Sequence, residues 1–422
     1  MKAEIVIIGG GPAGLMAAYA AGLEGCKVLL VDKGDKLGRK LAISGGGRCN
    51  VTNAGPIDLI IRNIPGNGKF LYSSLAQFSN QNIIQFFESL GIPLKEEDRG
   101  RMFPVSDKAK DVVQALLDKI AELGVTIKTN APVKQIVYDD QRITGVQLAT
   151  GETIETNCVI VAVGGKSVPY TGSTGDGYRW AEKAGHTITD LFPTEVPITS
   201  SEPFIRDKTL QGLSLRDVRL AVMDPKRNRQ VIEHDGDLIF THFGISGPIA
   251  LRCSQFVVKT LKKGHKAALM TIDLFPTKTK EAVIADIKQR AEQEAKRAIK
   301  NVLRGYLPER LIPLLLTKAN LDEDTTSAHL PRVPLDNLAE LIKRFPLEVD
   351  GTLSIEEAFV TGGGISLKEV DPKTMQSRLM PGLFFCGEVL DIHGYTGGFN
   401  ITAAFTTGYS AGRSSAAHCQ SI

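Results

Sequence analysis

The chain has 422 residues, more than the roughly 100–200 of a typical domain, so two or three domains are expected. Apolar residues make up 42% and charged residues 23%, the proportions of a soluble globular protein. Fifty basic and 47 acidic side chains leave +3, which gives no general drive toward nucleic acid or an anionic membrane.

In chain order, Ile5 to Ile8 is a continuous apolar run, as for a parallel strand covered on both faces. It follows Met1-Lys2-Ala3-Glu4 directly and is too short for the apolar core of a signal peptide. A turn over Gly9–Gly14, an alanine-rich helix to Gly25 and a second strand from Lys27 to Asp32 complete a strand–turn–helix–strand unit. A glycine-rich loop runs from Gly34 through Asn53. Helices are expected over Lys69–Phe78, Asn82–Leu90 and Asp107–Leu123, the last with Val112, Leu116 and Ile120 on one face. Strands follow at 125–128, 132–138 and 142–149, the last two joined at Asp139-Asp140, and a buried strand at Asn157–Val163 ends in glycines. From about 196 to 275 strands dominate, with a helix after Ser246-Gly247-Pro248. Residues 278–319 read as helical with a solvated charged face. Beyond Gly351 strands and glycines return, and Asn400 to Gly412 is a final helix. No run of 18 apolar residues suits a transmembrane helix. The six cysteines (Cys26, Cys49, Cys158, Cys253, Cys386, Cys419) form no C-x-x-C pair or Cys/His cluster, so no metal is expected and a reducing cytoplasm is.

Gly9-Gly10-Gly11-Pro12-Ala13-Gly14 satisfies the dinucleotide-binding pattern G-x-G-x-x-G. Gly9 suits the tight turn, Gly11 the approach of a pyrophosphate, and Gly14 close packing of helix on strand. The helix beginning at Pro12 aims its N-terminus at the phosphates. Asp32, 18 residues on, ends the second strand where a carboxylate can accept from a ribose hydroxyl and would repel a 2′-phosphate. The fingerprint alone leaves FAD and NAD open. Later segments favour FAD: Gly38-Arg39-Lys40; the run Ser44-Gly45-Gly46-Gly47-Arg48-Cys49-Asn50; Ala162 with Gly164-Gly165; Gly387-Glu388; and Gly397-Gly398-Phe399-Asn400-Ile401. Glu388 suits ribityl hydroxyls, and the helix opening at Phe399 suits the N1–C2=O edge of a reduced flavin. Lys33 and Val133 complete the expected cofactor-binding set.

These motifs, with Thr241-His242-Phe243-Gly244-Ile245-Ser246-Gly247-Pro248, resemble the bacterial NAD(P)/FAD-dependent oxidoreductases of the BaiN type over essentially the whole length. The resemblance implies a Rossmann-like, glutathione-reductase-like FAD-binding domain over residues 1–192 and 351–422. It is interrupted at 193–350 by a β-barrel-like domain carrying a helical subdomain at about 277–335. A second full fingerprint for NAD(P)H is generally absent in that family and is absent here, since Gly362-Gly363-Gly364 has no helix pattern after it. NAD(P)H is therefore expected only as a transient co-substrate.

Flavin N5 carries the hydride, and the protein positions substrate and tunes the ring. Candidates for an acid or base are His242, His393 and Tyr395, each with loop-bracing as the competing role. The leading expectation is an NAD(P)H-dependent reductase of a small organic acceptor such as an unsaturated ketone, acting without nucleic-acid or membrane partners. The alternatives are a flavin oxidase of an amine or alcohol and a flavin-binding redox sensor without turnover.

Overall fold

The computed structural model describes residues 2–139, 142–227 and 229–421; Asp140 of the expected Asp139-Asp140 turn lies outside them. The chain divides into two compact units, Met1–Phe192 with Ile355–Ile422, and Pro193–Ser354.

The first unit is built on a five-stranded parallel sheet ordered Leu383–Phe385, Val159–Val161, Ile5–Ile8, Val28–Val31, Thr126–Lys128. Ile7 lies opposite Leu30 on one side and Ile160 on the other, and Ile160 opposite Phe384. Every residue of the four strands other than Thr126–Lys128 is buried, which is why they read as unbroken apolar runs. Because the strands are parallel, Gly9, Asp32, Ala162 and Cys386 all leave the sheet at one edge.

Two helices pack together on this sheet, Pro12–Leu23 and the last helix, Phe399–Gln420. The last helix runs eight residues past its expected end at Gly412. An isolated helix pays about 1 kcal/mol for an interior glycine, but here the glycines sit on a contact. A Cβ at Gly408 would stand 2.3 Å from the Ala13 carbonyl oxygen, and one at Gly412 2.3 Å from that of Ala17. The matched steps, Ala13 with Gly408 and Ala17 with Gly412, mean that the helices run in the same direction. At about 1.5 Å per residue, the N-terminus of the last helix projects roughly 13 Å beyond the first turn of its partner.

The expected loop 34–53 contains a short helix, Arg39–Ile43. Left-handed turns follow at Gly45 (φ 57°), Gly46 (φ 70°) and Cys49 (φ 64°). Small antiparallel sheets complete the unit, among them Val133–Asp139, Arg142–Leu148 and Thr153–Glu155.

The second unit carries a seven-stranded antiparallel sheet ordered 345–349, 268–273, 214–223, 230–240, 244–246, 198–199, 351–352. Its two edge strands are consecutive in the chain, separated only by Asp350. A sheet whose opposite edges are one residue apart must curl back on itself, which gives the barrel-like form. Helix Pro248–Leu261 and the helices Lys280–Gln293, Ile299–Val302, Ile312–Lys318 and Arg332–Lys343 share one apolar core with it. The expected helical stretch 278–319 is broken, with Gly305 (φ 74°) and Pro308 between two of its helices.

Candidate functional site

The carboxyl edge of the parallel sheet gathers four of the segments singled out in the sequence. Gly9 bends at φ 104°, and a Cβ there would meet the Ala162 carbonyl oxygen at 2.6 Å; one on Gly14 would meet the Gly9 oxygen at 1.8 Å. Both glycines are thus needed for the fold itself. Gly11 differs: a Cβ there meets nothing within 4 Å. Its helix begins with no side-chain cap and with Pro12 at the first position, so the N–H groups of Ala13 and Gly14 are left for a partner outside the helix.

Asp32 braces this turn. Its Oδ2 accepts from the Gly10 N–H at 2.7 Å and its Oδ1 from that of Gly34 at 2.7 Å. A carboxylate still has lone pairs to spare for a hydroxyl. The backbone also returns here, since Ala131 N–H donates to the Asp32 carbonyl and Asn130 N–H to that of Gly34; Val133 follows two residues later. Lys33 pairs with Asp176 at 2.7 Å and with Thr174.

Glu388 lies at the centre of a polar node. Its Oε2 accepts from Lys40 Nζ at 2.6 Å; its Oε1 accepts from Ser167 Oγ at 2.9 Å and from Thr361 N–H at 2.8 Å. Lys40 also donates to Ser167 Oγ at 2.9 Å. Burial works to raise the Glu388 carboxyl, but the Lys40 ammonium and the hydrogen bonds from Thr361 and Ser167 outweigh it and hold it below the usual carboxylate range. Thr361 also packs on Gly165, where a Cβ would meet its Oγ1 at 2.4 Å. Four segments far apart in the chain, 40, 165–167, 361 and 387–388, are tied by one ion pair and its hydrogen bonds.

The last helix brings in the glycine-rich run. It has no side-chain cap and starts after Gly398 (φ 93°), where a Cβ would strike the Thr52 carbonyl at 2.6 Å and Asn50 Oδ1 at 3.1 Å. Thr52 and Thr402 hydroxyls share a hydrogen bond at 2.7 Å, and Asn53 Nδ2 donates to the Gly397 carbonyl at 3.1 Å. Asn400 points back, accepting from Gly394 N–H at 2.7 Å and donating to the Gly394 oxygen at 2.8 Å, so it shapes the loop before the helix. Ile401 lies in the first turn, half-buried.

The remaining candidates are distributed differently. Ser44 Oγ caps locally onto the Leu41 carbonyl. Cβ atoms at Gly46 and Gly47 would meet nothing within 4 Å. Cys49 is buried, and burial pushes its thiol up to about 12, so it is no nucleophile. Arg39 is spent on its neighbour Asp35. Arg48 is held by Glu97 at 2.8 and 3.2 Å and Asp107 at 3.3 Å, and stacks 4.1 Å over Phe103. Its charge is neutralised within the protein rather than held in reserve. His393 exchanges backbone hydrogen bonds with Gly66 and sets its ring edge-on to Phe192 at 5.4 Å; a Cβ on Gly66 would lie 1.9 Å from its Nδ1. Tyr395 is buried, its N–H bonded to the Asn63 carbonyl. His242 belongs to the second unit, exposed and packed edge-on to Phe243 at 5.0 Å. Thr52 and Asn53 end the run from Ser44 that the sequence marks as a motif; Ser167 and Thr361 were not singled out, although Thr361-Gly362-Gly363 ends a strand on glycines as Val163-Gly164-Gly165 does.

The edge fits a dinucleotide. Gly11, Gly46 and Gly47 present open backbone. Two uncapped helix N-termini point the same way, offset by about 13 Å along their axes, as suits a ligand with negative charge at two separated places. Asn50 Oδ1 and Tyr178 Oη are buried polar atoms with no hydrogen-bond partner, groups that native proteins rarely leave unmet.

Comparison with known proteins agrees with this geometry. The model of the HI0933-like protein Rossmann domain matches residues 3–414. The ribosomal RNA dihydrouridine synthase of Haemophilus influenzae is 32% identical over 96% of both chains, and that of Escherichia coli 30% over 96% of both. The 3-dehydro-bile acid delta(4,6)-reductase of Clostridium scindens is 30% identical over 98% of this chain and 99% of its own. Among solved structures, a flavocytochrome c3 fumarate reductase superposes with a TM-score of 0.53 at 17% identity, over 99% of this chain and 78% of that one. The 3-ketosteroid-delta4-(5alpha)-dehydrogenase of Rhodococcus jostii gives 0.52 at 16%, over 98% and 97%. No helix among the described residues is long and apolar enough to cross a membrane. The chain belongs to the HI0933-like family of FAD-binding Rossmann proteins and is an FAD-dependent oxidoreductase.

Proposed function

We propose that the chain is a reductase that takes hydride from NAD(P)H and delivers it to a carbon–carbon double bond conjugated to a carbonyl. The observation that carries this reading is a bond change shared by the names of its full-length relatives. A bile acid delta(4,6)-reductase saturates a ring double bond, and dihydrouridine is uridine reduced at the C5=C6 bond conjugated to its C4 carbonyl. Bound FAD supplies the hydride relay at N5.

The chain's own residues do the rest. Gly9 to Gly14 and the helix N-terminus at Pro12 hold the pyrophosphate; Asp32 takes the adenosine ribose; the Lys40–Glu388–Ser167–Thr361 node supports the ribityl side. Backbone N–H groups at Phe399, Asn400 and Ile401 stabilise negative charge at the far end. Saturation also needs a proton on the carbon next to the carbonyl, and His393 and Tyr395 are the candidates in this unit; loss of a true proton donor costs roughly 10²–10⁴-fold. Tyr395→Phe and His393→Asn should therefore separate one large fall in turnover from one small one.

The test is anaerobic. NADH or NADPH should bleach the flavin bands, and a simple cyclic enone should restore them. Bleaching without restoration by any carbonyl-conjugated alkene would overturn the enone acceptor and leave NAD(P)H as the donor. No bleaching with either nicotinamide would leave the oxidase, whose flavin an amine or alcohol should reduce and oxygen reoxidise, or the redox sensor.

A second reading has a specific observation behind it: the acceptor is a uracil ring within RNA. Two relatives across the full length are named for that reaction, and the chain's charge is unevenly divided. Residues 193–354 hold 25 Lys and Arg against 21 Asp and Glu, the remainder 25 against 26. Uridines in RNA treated with the enzyme and NAD(P)H should gain two hydrogens by mass spectrometry.

A further inference from the structure

The second unit carries an excess of positive charge, and part of it is concentrated at one end of its sheet. Several cations of the unit are paired: Arg219 with Asp235 at 2.6 Å, Lys278 with Asp286 at 2.6 Å, Lys280 with Asp336 at 2.8 Å, Lys300 with Glu323 at 2.9 Å and Asp324 at 2.8 Å, Lys343 with Asp273 at 2.7 Å. One end of the seven-stranded sheet instead gathers cations on two adjacent turns. Hairpin strands Ser214–Met223 and Gln230–Phe240 are joined by a turn carrying Lys226, Arg227 and Arg229, all exposed. The neighbouring strand Ala268–Asp273 pairs with the first of them, Met270 opposite Val222. The turn that enters it after helix Pro248–Leu261 carries Lys263 and Lys266, also exposed. The register therefore places both turns side by side at one end of the sheet. Among the described residues, none of these five cations makes an ion pair. The carboxylates near this end include Asp224, whose Oδ1 accepts the Lys226 and Arg227 N–H groups at 2.8 and 3.2 Å, Asp350, which accepts from Thr199 at 2.7 Å and from Ser201, and Glu348, opposite Leu269 on the neighbouring strand.

We infer that this end of the sheet is a docking surface for the phosphate backbone of RNA, an inference that rests on the reading of an RNA uracil as acceptor. Unpaired lysines and arginines on two adjacent turns suit a chain of phosphates, which they bind by charge and without reading sequence. A small enone would have no use for such a surface, whereas an enzyme that must find one uridine in a polymer needs contacts away from the reacting base. An even whole-chain balance conceals the feature, because five cations on two turns are a small part of the 50 in the chain.

The experiment uses the full flavin-loaded chain and a fluorescein-labelled uridine-containing RNA stem–loop, with anisotropy read across a salt series. One variant carries Lys226→Gln, Arg227→Gln and Arg229→Gln; a second carries Lys263→Gln and Lys266→Gln. Lys280→Gln with Lys300→Gln, on paired cations, is the control that matches the second variant in charge. The wild-type chain should bind, and each surface variant should bind at least about tenfold more weakly. The triple variant should flatten the slope of log affinity against log salt by about 2, near 0.7 for each lost phosphate contact. The control should change less than about threefold, and all variants should reduce a simple enone at the wild-type rate, which shows that they fold and turn over. Wild-type RNA binding that both surface variants retain would overturn the surface and leave the RNA reading standing. Failure of the wild-type chain to bind RNA even at low salt would overturn both, with enone reduction unaffected.

Discussion

Gly11 and Gly14 stand three residues apart and should respond to an added methyl in opposite ways. Gly11 has open space where a Cβ would go, so Gly11→Ala should leave apoprotein stability within about 0.5 kcal/mol, as at other unconstrained surface positions. The same methyl enters the space proposed for the pyrophosphate, and flavin content of the purified protein should fall at least tenfold. Gly14→Ala instead drives a methyl into the Gly9 carbonyl and should cost roughly 1–3 kcal/mol before any ligand is considered. Thermal midpoints of the apoproteins, with flavin absorbance beside them, separate the two; equal loss of stability would defeat the assignment of Gly11 to ligand approach. Lys40 and Glu388 offer a second contrast. Lys40→Met leaves a largely buried carboxylate without its cation and should cost about 3 kcal/mol. Adding Glu388→Gln should recover much of that, so the two changes fall well short of additive in a double-mutant cycle.

Among the elements, the last helix shows what local reading can and cannot reach. The Gly9–Gly14 turn was legible because its strand, turn and helix are contiguous and each glycine has a local reason. The helix end was misread at Gly412 because glycine normally weakens a helix, and the partner that requires it, Ala17, is almost 400 positions earlier. Ser167 and Thr361 were invisible for the same reason: only folding brings them to Glu388. Arg48 looked available until a separate hairpin supplied Glu97. Gly408→Ala tests the helix contact by its sign. In a free helix this change stabilises by roughly 1 kcal/mol, yet here it should destabilise by about 1–3 kcal/mol, because its methyl meets the Ala13 oxygen. The hairpin of the second unit carries a pH-sensitive group. Burial first, and Arg252 second, lower His234 to about 4. Its ring stays neutral in the folded chain and takes a proton near 6.5 when unfolded. Protons therefore favour the unfolded chain: the stability is full above about pH 6.5 and is lost as pH falls toward the folded value, by roughly 1–3 kcal/mol at most. His234→Gln should flatten the thermal midpoint between pH 7 and 5, and an unchanged pH profile would refute the assignment.

At the scale of the whole molecule, the interruption of one unit by another has a thermodynamic consequence. The strand Leu383–Phe385 and the helix Phe399–Gln420 are made by the last part of the chain, yet they complete the sheet begun at Ile5. The first unit closes only after the second has been synthesised, and its candidate site draws on both sides of the insertion: Gly9 to Asn53 before it, Thr361 to Ile401 after it. A ligand that needs both parts stabilises that unit against unfolding by RT ln(1 + [L]/Kd), about 2.7 kcal/mol at a hundredfold excess over Kd. The second unit has its own apolar core running from Ile198 to Val349, and none of the residues assigned above to the dinucleotide belongs to it. Calorimetry of the full chain, before and after flavin is stripped with chaotropic salt, should show one transition that falls when flavin leaves and returns with added FAD. A second should stay within a degree or two of its place. Equal movement of both transitions would mean that the two units unfold as one, and that flavin stabilises the insertion as much as the domain it interrupts.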